Sequence, residues 1–145
     1  MSIHGAIPNL QYRDPKAAIK WLETAFGFET RLVVPHGEGD DEIIVHAQIT
    51  CGKAMVMIST AGVGMGNDSG DGKKIMTHPD ETGGASTMGI FLVVDDPDAH
   101  FARAQKAGAD IVKPLTEQPY GGKDYAARDC EGHLWSFGTY DPWAG

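Results

Sequence analysis

The chain has 145 residues and a mass of 15.5 kDa, enough for one domain with a real core, since a domain of that size buries roughly 68–70% of its unfolded surface. Hydrophobic residues make up 41% and charged residues 22%, a globular balance that argues against disorder, and no apolar run approaches the roughly 20 residues of a membrane span. Twenty acids against twelve bases, a formal charge of −8, make nucleic acid a poor partner, because phosphate binding needs a basic face; two cysteines, Cys51 and Cys130, exclude a disulfide scaffold.

The first residues, MSIHGAIPNL, lack the charged and apolar blocks of a signal peptide, and no Cys-x-x-Cys pair is present, so the expected location is cytoplasmic. A strand is predicted over Ala6–Tyr12. Asp14 then reads as an N-cap and Pro15 as the first helical residue. Ala18, Ile19, Leu22, Ala25 and Phe26 fall on one helical face, and Gly27 stops the helix. Strands are predicted over Arg31–Val34, Ile43–Ile49 and Ala54–Ser59. From residue 61 the chain becomes glycine-rich, and residues 62–86 are expected to form a mobile surface linker.

Two short motifs in that linker fail on inspection. A phosphate-binding loop ending at Gly72-Lys73 would need glycine where Asn67 stands and Ser or Thr where Lys74 stands. His78-x-Asp80 with His133 echoes an iron-binding triad, but it sits beside a proline in a flexible stretch and not on a strand. Beyond the linker, a strand over Met88–Val94 leads to a second helix opened by Asp96-Pro97, carrying Phe101, Ala104 and Ala107 and stopped by Gly108. Strands over Asp110–Val112, Tyr125–Arg128 and Leu134–Tyr140 follow.

The two helix openings are 82 residues apart. At that offset Asp14 meets Asp96, Pro15 meets Pro97, Ala17 meets Ala99 and Ile19 meets Phe101. Each half therefore reads as strand, helix and three strands, giving an α+β chain of two βαβββ modules. The expected boundaries are 1–61 for the first module, 62–86 for the linker and 87–145 for the second, within a single domain over 1–145.

Within this repeat, Tyr12-x-Asp14, Ala18-x-x-Trp21-Leu22, Phe26-Gly27-Phe28-Glu29, His46-Ala47 and Gly52 match one half of a known pattern. Val94-Asp95-Asp96-x-Asp98-Ala99, Ala107-Gly108-Ala109, Tyr120-Gly121 and Asp129-x-Glu131-Gly132-His133-x-Trp135 match the other. In order and spacing the chain resembles the vicinal oxygen chelate superfamily of glyoxalases, bleomycin-resistance proteins and ring-cleaving dioxygenases. The departure is Cys130, where proline is usual; with no basic neighbour evident it reads as a passive replacement. The resemblance implies modules that curl into a mixed sheet around a cavity, and a homodimer.

Metal-dependent members of that superfamily carry ligands on the first and last strand of each module. Carried over, those positions are Ile7 and Met57, then Gly89 and Ser136. Isoleucine and glycine have no donor atom, methionine sulfur suits soft metals and a serine hydroxyl is weak. No metal and no other cofactor is therefore expected. Strand alternation supplies a different lining. Asn9 and Gln11 share a face with Ile7, and Met55 shares one with Met57. If Cys51-Gly52 forms a two-residue turn, Met57 lies opposite His46 and Met55 opposite Gln48; Phe91 lines the other half. This apolar cup with a few polar groups suits a small organic ligand, cationic or hydrophobic. Each of these residues has a blander reading as well, His46 as a hydrogen-bonded structural histidine and the methionines as core. Trp21 and Trp135 read as packing residues, His100 as solvated, and Lys20, Glu23 and Arg103 as solvent face. The expected function is metal-free binding of a small organic molecule in a cavity between the two modules; a lyase, isomerase or dioxygenase assisted by a metal or by His46 is the alternative.

Overall fold

The protein was analysed as a computed structural model that describes residues 1–63 and 69–144. It contains two compact units, Met1–Lys20 with Phe28–His78, and Trp21–Gly27 with the chain from Pro79 onward. Among the described residues no helix is long and apolar enough to cross a membrane.

The first unit is built on a four-stranded mixed sheet of β1 (Asn9–Tyr12), β2 (Glu29–His36), β3 (Ile43–Cys51) and β4 (Ala54–Thr60), in the order β1-β4-β3-β2. β1 runs parallel to β4, and the other pairs are antiparallel. Helix α1 (Pro15–Phe26) starts in this unit. Asp14 Oδ1 accepts the Ala17 amide at 3.1 Å, satisfying one of the orphan donors of the first turn, and Pro15 has no amide to satisfy. Strand alternation buries Leu10, Tyr12, Ala47, Ile49, Val56 and Ile58 on one face of the sheet.

The β3–β4 turn differs from expectation. Cys51 pairs with Ala54, so the turn residues are Gly52 and Lys53, and Gln48 rather than His46 stands opposite Met57, with Thr50 opposite Met55. Gly52 has a φ of +57°, which a side chain resists, and it draws the turn one residue along. The register moves by two pairings, an even number, so every side chain keeps its face. Beyond Ala47–Ile58, Thr60 Oγ1 donates to the Ile44 carbonyl at 2.9 Å and accepts the Ile44 amide at 3.1 Å.

The second unit repeats the topology with β5 (Ile90–Val93), α2 (Pro97–Lys106), β6 (Asp110–Glu117), β7 (Lys123–Arg128) and β8 (Leu134–Gly138), in the order β5-β8-β7-β6. β5 is parallel to β8, and α2 packs on β6, β7 and β8. The chain is thus α+β, with two helices and two mixed sheets of one design. The first strand of each half is shorter than expected, starting at Asn9 and Ile90, while β2 and β6 are longer. β6 tolerates Pro114 because it is an edge strand with irregular register there.

Two side chains expected in solvent are structural. Arg103 caps α1, its Nε donating to the Thr24 carbonyl and its Nη2 to the Glu23 carbonyl, both at 2.8 Å. Gly27, at φ +83°, leaves room for this guanidinium, since a Cβ there would stand 3.0 Å from Nη1. In return Trp21 Nε1 donates to the Ala107 carbonyl at the end of α2, at 3.1 Å. His100 is half-buried, with its Nε2 3.0 Å from the Phe26 carbonyl and its Nδ1 2.6 Å from the Tyr125 hydroxyl. Its ring lies 4.2 Å from that of Phe137, in a cluster with Phe26 and Tyr125. Pro97, His100, Ala104 and Ala107 are spaced three or four apart, so helical periodicity places the histidine on the packed face.

The turn after β7 is organised by Asp129, only 6% exposed. Its Oδ1 accepts the amides of Glu131 and His133 at 3.0 Å each, and its Oδ2 accepts Trp135 Nε1 at 2.9 Å. This explains the Asp-x-Glu-Gly-His-x-Trp spacing: one buried carboxylate shapes a turn and satisfies an indole. Cys130, exposed within the turn, makes none of those three bonds.

The expected mobile linker over 62–86 is partly outside the described residues, at 64–68. Its end is built in. His78 and Pro79 are buried, a 3-10 turn spans Pro79–Glu81, and Gly84 donates to the Pro79 carbonyl at 3.0 Å. Pro79 packs against the Asp129 turn, 3.3 Å from where a Cβ on Gly132 would stand.

Candidate functional site

The face of the first sheet opposite its buried side carries all the first-half residues singled out from sequence. The register sets Asn9 beside Met57 and Gln11 beside Ser59. On the other flank of β4, Gln48 stands beside Met57. Met55, Met57, His46 and Gln48 are half-buried, Gln11 and Ser59 are buried, and Asn9 is exposed. Two residues missed from sequence complete the row: β2 places Leu32 beside Gln48 and Val34 beside His46. They are 42% and 38% exposed, as befits an edge strand. The alternation of Leu32 and Val34 was visible, but bulges on either side of them hide which strand position they oppose.

His46 and Gln48 act as a pair. Their side chains point the same way two residues apart, and Gln48 Nε2 lies 3.1 Å from His46 Nε2. The amide nitrogen can only donate, so the imidazole nitrogen accepts and its proton resides on Nδ1. The face as a whole offers a thioether and aliphatic floor with amide and imidazole groups that can orient a ligand. A cleft of about 310 Å³ elsewhere in this unit lies near the start of α1. It contains none of these residues, and Lys16 and Glu42 on its rim already pair at 2.9 Å.

In the second unit, Phe91 stands beside Ser136, and Val93 beside Gly138. Phe91 and Val93 are 42% and 49% exposed, while Ile90, Trp135 and Phe137 on the other face are buried. The strand residues beside Met57 and Ser136 are Asn9 and Phe91; Ile7 and Gly89 precede the strands. An amide, a thioether, a phenyl ring and a hydroxyl do not form a ligand set for a hard or borderline divalent ion. Among the described residues, no group of three or more His, Cys, Asp and Glu side chains is arranged to hold a metal. The donor set does not fit a divalent centre at these strands.

Known proteins agree with this architecture. The chain is 34% identical to an uncharacterized protein of Mycobacterium bovis over 131 residues, which is 90% of this chain and 80% of that one. The crystal structure of TioX from Micromonospora sp. ML1 is also 34% identical, covering 92% of this chain and 94% of its own, with a TM-score of 0.69. A lactoylglutathione lyase from Agrobacterium tumefaciens, 16% identical, shares the fold at a TM-score of 0.65, covering 94% of this chain and 94% of its own. Residues 6–137 match the Glyoxalase/Bleomycin resistance protein/Dioxygenase superfamily, and the chain belongs to that family.

Proposed function

We propose that this protein is a metal-independent binding member of its family, holding a small organic molecule on the open face of β1–β4. The observation that carries this reading is the composition of that face. Met55, Met57, Leu32 and Val34 supply adaptable apolar area, and Asn9, Gln11, His46 and Gln48 supply hydrogen-bonding groups around it. Nothing in this set recommends metal-assisted chemistry. The proposal includes assembly as a homodimer, which sedimentation at micromolar concentration tests.

The direct test uses Nile red, a neutral apolar dye, as the probe. Its fluorescence should rise and shift to the blue with the wild-type protein and lose most of that response with Met57→Trp, whose indole would fill the face. Circular dichroism should show the fold retained, because Met57 is half-buried and not part of the buried side of the sheet. Unchanged dye binding by Met57→Trp would overturn the placement. Elemental analysis finding stoichiometric Zn, Ni, Mn or Fe bound through these residues would overturn the metal-independent reading.

The His46–Gln48 pair supports one second reading, in which the imidazole acts as a general acid or base on a bound substrate. It predicts that catalysis of any substrate found for the protein is lost in His46→Gln while binding remains.

A further inference from the structure

We infer that the second unit carries a recognition site for an organic cation, centred on Asp124. This goes beyond the reading above, which invokes neither Asp124 nor the tyrosines around it. Asp124 lies on the exposed face of the second sheet, opposite Gly138 in the pairing of β7 with β8, and so on the face that carries Phe91 and Val93. Its Oδ1 accepts Gln118 Nε2 at 2.9 Å, and its Oδ2 accepts the Tyr120 hydroxyl at 3.1 Å. Both donors are neutral, and among the described residues no lysine, arginine or histidine pairs with it. The neighbouring Lys123 is turned to Asp98, at 2.9 Å. The carboxylate is thus held by two side chains that fix its orientation and leave its charge uncompensated, with lone pairs to spare.

Tyr120 brings a second aromatic ring towards that charge. Tyr120 and Tyr140 meet edge to face with centroids 5.6 Å apart, although they are 64% and 49% exposed. Two glycines make the arrangement possible. A Cβ on Gly138 would stand 2.5 Å from Asp124 Cβ and 3.1 Å from the Phe91 ring, so only glycine lets the ring and the carboxylate share that spot. A Cβ on Gly122 would stand 2.8 Å from Thr139 Oγ1, the atom that accepts the Lys123 amide at 3.0 Å. That close approach ties the turn bearing Tyr120 to the segment bearing Tyr140. A fixed, uncompensated carboxylate beside a pair of exposed tyrosine rings is complementary to an ammonium or amidinium group on a flat organic body, through charge pairing and cation–π attraction. The chain's net charge of −8 favours approach of such a ligand.

The probe is benzamidine, with neutral benzamide as its isostere, followed by amide chemical shifts of the labelled full-length protein. Benzamidine should bind saturably at millimolar concentration, with the largest shifts over Gln118–Asp124 and Ser136–Tyr140, and benzamide about tenfold more weakly or not at all. Asp124→Asn, which keeps an acceptor for Tyr120, should abolish the preference for the cation. Tyr140→Ala should weaken binding about two- to fivefold, as expected of one exposed cation–π partner. No binding, equal binding of benzamide, shifts confined to β1–β4, or an unaltered Asp124→Asn protein would each overturn the inference.

Discussion

Replacing Asp129 by asparagine tests whether the buried turn carboxylate works as its geometry implies. The side chain is 6% exposed, so water cannot replace what is lost. One oxygen accepts two backbone amides and the other accepts the Trp135 indole. An amide has one oxygen, so its NH2 must face either the indole N–H or the two backbone N–H groups, donor against donor. At least one charge-assisted hydrogen bond is lost and a buried donor is left unpaired, which sets the expected cost at about 2–3 kcal/mol. Trp135→Phe removes the indole N–H that the carboxylate accepts, for about 1.5–3 kcal/mol. Because both variants break the same bond, the double variant should be less destabilised than the sum of the singles, by about 1–2 kcal/mol. Urea denaturation followed by circular dichroism measures all three. A cost below about 0.5 kcal/mol for Asp129→Asn, within the range of ordinary surface changes, would refute the reasoning, as would strict additivity in the double variant.

Arg103→Ala should destabilise by about 1 kcal/mol, because the two α1 carbonyls it caps return to water; lysine, a point charge without the fork, should restore only part of this. Thermal denaturation of the three proteins decides it, and full rescue by lysine would count against a two-carbonyl cap. Thr60→Val should cost about 1–3 kcal/mol by stranding both Ile44 backbone groups, while Thr60→Ser stays close to wild type. Gly52→Ala should cost about 1–2 kcal/mol by backbone strain alone, since its φ is +57° and nothing lies within 4 Å of an added Cβ; equal stability in urea would contradict that.

The repeat was legible because it is written in local chemistry. Asp14-Pro15 and Asp96-Pro97 are caps whose partners lie three residues on, at 3.1 Å and 3.0 Å, and Gly27 and Gly108 are stops with φ of +83° and +84°. The faces of the sheet residues were legible for a related reason. A period of two survives an error of two, so His46 and Gln48 kept their side even though Gly52-Lys53 makes the turn. What was hidden depends on distant pairs. Arg103 looks like solvent face until its partners, 79 and 80 residues away, are known. Leu32 and Val34 join the open face through a bulged register that no alternation rule supplies. Tyr120, Asp124 and Tyr140 converge because two glycines admit close contacts between β7, β8 and their flanking segments, and a glycine in sequence does not say what it makes room for.

His100 connects this hidden layer to pH. Its Nε2–H donates to the Phe26 carbonyl, so Nδ1 is left to accept the Tyr125 hydroxyl. Burial raises the Tyr125 phenol above its ordinary range, which keeps that donor protonated. For His100, burial is the largest influence and lowers its pKa; the Phe26 carbonyl pulls the other way, and the Arg103 charge lowers it further. The folded protein therefore holds this imidazole neutral at pH values where the unfolded chain, titrating near about 6.5, has taken up a proton. In that window the unfolded state binds more protons, so stability rises with pH. The contribution is fully present above the unfolded value and is lost as pH falls through the folded one. His100→Phe removes the titration along with the two hydrogen bonds. Comparing wild type and variant by urea denaturation from about pH 7.5 down to about pH 5, a range that spans the ordinary histidine pKa, cancels the other five histidines. The stability advantage of wild type should shrink as pH falls across that range. A constant or growing advantage would show that His100 is not held neutral by its burial.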